Sequence, residues 1–279
     1  MAVALAHDQD GWFARLELEF ERRSAMTVLR RNRHTGPLRL QRPLYPENES
    51  VCHAYVLHPP GGVVGGDRLE IDVTAQAGAG VLITTPGAAK FYRSNGATAV
   101  QESRLEVAEN SCMEWMPQES IFYPGADASV ATRVALGDNA GFIGWDILCI
   151  GLPACGRTFG EGRLKTTLEV RRKGRLLLKD RLWVQGDAAL SRPAGLRGFS
   201  VCATMIATGC TPRIAAPLKE MAEAAPEMMT GITLMQDLLV VRGLCDDSAL
   251  AKALFSRLWG YLRPALFGRD ACPPRIWET

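Results

Sequence analysis

The sequence predicts a mainly β protein: a single elongated domain of stacked, sandwich-like sheets over residues 1–279, with about two helices near the C-terminal end. Three observations carry this reading. Apolar and polar residues alternate with a period of two in segment after segment, as on half-buried strands. Clusters of Gly, Pro, Asn and Asp punctuate those segments. A helical period appears only in the last quarter of the chain.

Residues 1–10 carry no pattern and are expected to be flexible. Leu16, Leu18 and Phe20 alternate with Glu17 and Glu19, which predicts a first strand. Met26–Leu29 reads as a second, followed by a basic run Arg30–His34 and a turn at Gly36-Pro37. The prolines of 43 and 46 allow only brief extension over 38–46. Val51–Leu57 is apolar enough for a buried strand, and Leu69, Ile71, Val73 and Ala75 alternate with Arg68, Glu70, Asp72 and Thr74. Further strands are expected at 81–85, 98–107, 130–136, 142–150 and 201–207, with a hairpin 164–184 turning at Lys173-Gly174 and one strand over 232–241. Pro217 is expected to start a short helix that Pro226 stops. Asp246-Asp247-Ser248 caps a longer helix to about Phe267, with Leu250, Leu254, Leu258 and Leu262 on one stripe and Gly268 at its end. No internal repeat or linker divides the chain.

Between the strands at 51–57 and 68–75 lies His58-Pro59-Pro60-Gly61-Gly62-Val63-Val64-Gly65-Gly66-Asp67. Its four glycines suit positive φ or close backbone approach. It joins strand to strand, so no helix N-terminus faces a phosphate, and no G-x-x-x-x-G-K-[ST] occurs anywhere. Composition narrows the function further. The net charge of +2 argues against a nucleic-acid surface, although basic residues are mostly arginine, 26 against 6 lysines. No apolar run is long enough for a membrane span or a signal core, so a soluble cytoplasmic protein is expected. The 8 cysteines are scattered without C-x-x-C and read as buried thiols; only Cys149 and Cys155, on either side of Gly151-Leu152-Pro153, could converge on a soft metal.

Catalytic patterns are missing: there is no G-x-S-x-G and no H-E-x-x-H. His53 and His58, five residues apart, point to opposite faces of a continuous strand and read as structural. Glu114 and Glu119 lie among Met113, Trp115, Met116, Ile121 and Phe122, where a carboxylate has to be paired, hydrogen-bonded or protonated; pairing with an arginine is the simplest outcome. Asp67, the one acid of the glycine loop, is expected to face water, a distant arginine, a partner or a cation.

The glycine loop resembles the signature of the urease accessory protein D family, called H in some organisms. Gln41–Pro46, Thr84–Ser94, Glu114–Glu119 and Pro193–Gly198 are similar to that family's motifs, in the same order. Asp146 stands after Trp145 where the family more often has Glu, and Leu152 where Arg is common. The resemblance implies a β-rich, non-enzymatic metallochaperone scaffold. It would act with accessory proteins F and G on the urease apoprotein, with G supplying GTP hydrolysis, and would hold no tightly bound cofactor. It also implies transient passage of Ni²⁺ through this subunit. Weak oxygen ligands suit such a passage, since thiolates or imidazoles would trap the ion. Asp67, Glu114, Glu119, Asp146 and Thr85 are the candidates. Two other readings are a structural adaptor for accessory protein F that never touches nickel, and a hydrolase using Asp67 and Glu119 as an acid/base pair.

Overall fold

Parallel strands cannot be joined by a tight turn, so the chain has to cross over between them, usually through a helix. Here the crossover is itself a strand of a facing sheet. The computed structural model describes residues 11–278; the flexible terminus expected for residues 1–10 lies outside them. β1 (Phe13–Arg23) and β2 (Met26–Thr35) form an antiparallel hairpin, and β3 (Arg39–Leu40) is a brief edge. The chain then coils through β4 (Val51–Leu57), β5 (Arg68–Ala75), β6 (Gly80–Thr84), β7 (Ala89–Phe91), β8 (Ala99–Val107), β9 (Cys112–Met116), β10 (Ser120–Phe122), β11 (Asp127–Leu136), β12 (Gly141–Ile150) and β13 (Arg163–Arg172). β4, β6, β9 and β12 stack in parallel in one sheet, while β5, β8, β11 and β13 do so in the other. Val51, Gly80, Cys112 and Gly141 stand in line, each one coil of chain beyond the last. This is a short solenoid, a repeat of geometry that leaves no repeat of residues.

β14 (Arg175–Gln185) turns back from β13 through Lys173 and Gly174, both at positive φ as a two-residue hairpin requires. After α1 (Asp187–Leu190) come β15 (Val201–Ala207), α2 (Pro212–Glu223), β16 (Met229–Met235), β17 (Leu238–Cys245) and α3 (Ser248–Phe267). The result is a seven-stranded sheet, β14-β13-β11-β8-β5-β1-β2, facing a ten-stranded one whose main path is β16-β17-β15-β12-β9-β6-β4-β3. One apolar layer lies between the sheets, and α2 and α3 cover a second on the outer face of the ten-stranded sheet. The mainly β architecture with helices late in the chain agrees with the sequence reading.

Several boundaries differ from expectation. β2 runs on through Arg30–Thr35, because an edge strand tolerates a basic run whose side chains all reach water. α2 starts at Pro212, capped by Thr211, so that Pro217 lies inside it and costs one backbone bond. The strand expected over 232–241 is a hairpin, β16–β17, turned at Gln236, which adopts φ 57°. On α3, Leu254, Leu258 and Leu262 are buried as expected but Leu250 is exposed.

The coils are closed along a third row. Val63, Phe91, Phe122 and Ile150 are neighbours across it, and the Phe91 and Phe122 rings stack with centroids 4.8 Å apart. The glycine loop forms the first corner of this row. A Cβ on Gly65 would lie 2.6 Å from the Ala97 carbonyl oxygen of the next coil, and Gly66 adopts φ 93°. We expect Gly65→Ala to destabilise the protein by about 2 kcal/mol through forced separation of the coils. Gly260→Ala, in open space on α3, should instead stabilise it by about 0.5–1 kcal/mol. Urea unfolding of the two variants measures both.

Candidate functional site

Alternation along β12 sends Phe142, Leu148 and Ile150 into the layer between the sheets, and Ile143, Trp145, Ile147 and Cys149 toward the helices. Asp146 falls on the inter-sheet side, where an aliphatic residue would ordinarily sit. Its neighbours across the ten-stranded sheet are Thr204 on β15 and, beyond it, Arg242 on β17. In the facing sheet, Ser103 on β8, Thr132 on β11, Leu168 on β13 and Asp180 on β14 form the corresponding row. A polar band therefore crosses the apolar layer at right angles to the strands. Thr132 hydrogen-bonds Asp146 from one sheet to the other, and Arg242 Nη2 meets Asp180 Oδ2 at 2.8 Å at the open end.

Two cavities follow this band. A chamber of about 300 Å³ lies under the 61–63 and 85–90 segments, lined also by His58, Gln101, Ser103 and Trp115. A second, of about 520 Å³, opens between β14 and the β16–β17 hairpin. They abut at Val130, Thr132, Asp146 and Leu148, which line both. Asp146 is half-buried by accessible area because it borders the chambers, yet protein encloses it, and burial pushes its pKa from 3.8 to about 6, with the Thr132 hydrogen bond opposing. Trp115 Nε1, buried at the first chamber, has no hydrogen-bond partner. Burial lowers the pKa of His58, against the pull of Asp67, which favours the neutral imidazole. The set of oxygen groups, with one carboxylate at the junction, is of the kind that holds a cation weakly.

Of the other sequence candidates, Thr85 shares a chamber with Asp146, and Asp67, Glu114 and Glu119 line neither. Thr85 lines the first chamber, accepting a hydrogen bond from the Gln118 N–H at 2.9 Å. The Asp67 carboxylate accepts the Trp12 and Val64 N–H groups at 2.8 and 2.9 Å and so clasps the start of β1 to the glycine loop. Glu114 points to the helix side of β9. There it accepts from Trp259 Nε1 at 2.7 Å and from Arg263 Nε at 3.0 Å, the arginine pairing foreseen for a carboxylate in that setting. Arg263 is fully buried and also reaches Glu47 Oε1 at 2.6 Å, which in turn meets His53 Nε2 at 2.8 Å. Burial pushes the Glu114 pKa up, and Arg263 opposes it. Glu119 is half-buried and, like Asp67, lines neither chamber. Cys149 is buried, its thiol pushed up to about 11 by burial and then by Glu119, while Cys155 is exposed. Among the described residues, no three His, Cys, Asp or Glu side chains cluster as a metal site. Ser103, Thr132 and Thr204 carry no motif; Thr132 and Thr204 are polar residues at inward positions between apolar ones, and Ser103 lies between Gln101 and Leu105.

A family model described as "UreD urease accessory protein" matches residues 13–278. The chain belongs to the UreD family. It is 46% identical over 278 residues to the urease accessory protein UreD of Azoarcus sp. strain BH72, covering 99% of this chain and 97% of that one. It is 43% identical over 281 residues to the protein of the same name from Pseudomonas fluorescens strain Pf0-1, and 42% over 270 residues to that of Methylobacillus flagellatus, covering 100% and 96% of this chain and 99% and 95% of theirs. These relatives are named as accessory proteins of urease, not as enzymes, and this chain belongs with them. Among its described residues, no helix is long and apolar enough to cross a membrane.

Two predictions separate Glu114 from Asp146. Arg263→Met leaves Glu114 buried without its countercharge and should cost about 3–5 kcal/mol in urea unfolding. Asp146 has the opposite sense. Its folded pKa lies above the unfolded value, so folding stability falls as pH rises from 3.8 through about 6. Asp146→Asn should therefore stabilise the protein by about 3 kcal/mol at pH 7 and by almost nothing below pH ~4, seen as a pH-dependent shift in thermal midpoint.

Proposed function

We propose that this chain serves urease maturation as a scaffold through which Ni²⁺ passes on its way to the urease apoprotein. It would act in the cytoplasm, in a complex with accessory proteins F and G. The observation that carries this reading is Asp146: an inward-facing carboxylate where two chambers abut, in a polar band that crosses an otherwise apolar layer. An uncompensated buried charge lowers stability and is retained where it has work to do. Hydroxyls and carboxylate oxygens bind Ni²⁺ loosely enough to release it. The chain carries no P-loop sequence, which supports leaving GTP hydrolysis to accessory protein G.

The experiment is co-expression of urease with its accessory proteins, followed by nickel analysis of the purified urease. Asp146→Leu keeps the strand and fills the junction with an aliphatic side chain; nickel per urease should fall roughly tenfold, as expected when a desolvated charge that offsets a cation is lost. Thr132→Leu should lower it less. Wild-type nickel content with Asp146→Leu, in a complex that still assembles, would remove nickel passage and leave a purely structural adaptor.

A further inference from the structure

An outer strand offers unpaired N–H and C=O groups to any other chain, and proteins ordinarily blunt such edges with charge, proline or brevity. Three of the outer strands here follow that rule. β2 carries Arg30, Arg31 and Arg33, β14 carries Arg175, Lys179 and Arg181, and β3 has two residues. β16 does not. Its sequence Met-Thr-Gly-Ile-Thr-Leu-Met has no charge and no proline, and among the described residues it pairs only with β17. Thr230, Ile232 and Leu234 are half-buried, with Ile232 and Leu234 packed into the layer under the helices; Met229, Gly231, Thr233 and Met235 are exposed, the two methionines at 44% and 38%. An edge of this composition is left open when something covers it.

We propose that β16 is a docking edge for an extended acidic segment of a protein partner, which adds as a further strand of the ten-stranded sheet. Main-chain hydrogen bonds would supply affinity, and side chains at alternate positions would meet Met229 and Met235. The surrounding charge selects the occupant. Arg181 lines the chamber beside β16, and Arg197 rests its guanidinium on the Met229 sulfur at 3.4 Å; among the described residues neither has a carboxylate partner. Arg242, also on the chamber wall, shares only Asp180. A second copy of β16 carries no carboxylate within Met229–Met235, and the nearby Asp237 is already paired with Arg172, which favours a heterologous strand. Because Met229, Thr230 and Gly231 border the 520 Å³ chamber, the added strand would also roof its mouth. The inference rests on the proposed assembly for its partner, but not on nickel passage.

Hydrogen–deuterium exchange of the full chain, alone and in complex with accessory proteins F and G and apo-urease, tests it. The Met229–Met235 amides turned away from β17 should exchange rapidly in the free chain and slow roughly a hundredfold in the complex. Thr233→Lys, the defence the other edges already have, should weaken the complex at least ~10-fold with an unchanged thermal midpoint, and Arg181→Glu should weaken it in a salt-dependent way. A complex that forms with exchange in β16 unchanged overturns the docking edge and leaves the assembly intact. Protection in the free chain that grows with its concentration makes the occupant a second copy and overturns the partner strand. Failure of any of the three proteins to bind overturns the assembly, and this occupant with it.

Discussion

Everything in this fold depends on the alignment of parallel coils. Once Val51, Gly80, Cys112 and Gly141 stand in line, every inward position of one coil is continued by an inward position of the next. Core and site are then rows rather than points. A lone threonine pointing into an apolar layer would be an unsatisfied group; a row of polar groups, broken at Leu168 and facing another row, forms a polar seam. The same alignment explains why the Phe91–Phe122 stack and the glycine corner occur together, since both are places where successive coils touch.

Glu114 and Asp146 illustrate how differently one chemistry can be used. Glu114 is held by Trp259 and Arg263, and through Glu47 and His53 it ties β9 and β4 to α3. Removing one member would strand the others, so this network fixes where the long helix lies. Asp146 has only a threonine hydroxyl to offset its burial. Both are acids among apolar neighbours in the sequence. The difference lies in which face of its strand each one occupies, and in what the last helix brings to that face.

That contrast marks the limit of what was legible beforehand. Strand and turn positions could be read because their signals are local: alternation over 69–75, Lys173-Gly174, the Asp247 cap. The solenoid could not, because its repeat is one of hydrogen-bond register between segments with unrelated residues. Thr211-Pro212 is itself a local start signal, an N-cap followed by proline in the first turn, and it begins the helix five residues before Pro217. Asp146 and Thr85 were named as candidates and both line the chambers, whereas Asp67 and Glu114 are engaged by partners 55 and 149 residues away, Trp12 and Arg263. Separations of that size are invisible to spacing arguments. Thr132 and Thr204 could have been flagged as breaks in an apolar alternation, but only the facing sheet shows that they belong together.

The space between the sheets is closed very differently along its margins. On the side of the third row, stacked phenylalanines and backbone ladders hold the coils together, and neither responds to electrolyte. At the margin formed by β13 to β17, two ion pairs join the sheets: Arg172 with Asp237 and Arg242 with Asp180, all partly exposed. Pairs of this kind contribute only about 0–1 kcal/mol each and are screened at ordinary ionic strength. The molecule closes like a book with a bound spine and a clasped fore-edge. The fore-edge also packs Leu178, Val184, Leu238 and Val240 between the sheets, so salt weakens only the ionic part of its closure and leaves the spine untouched.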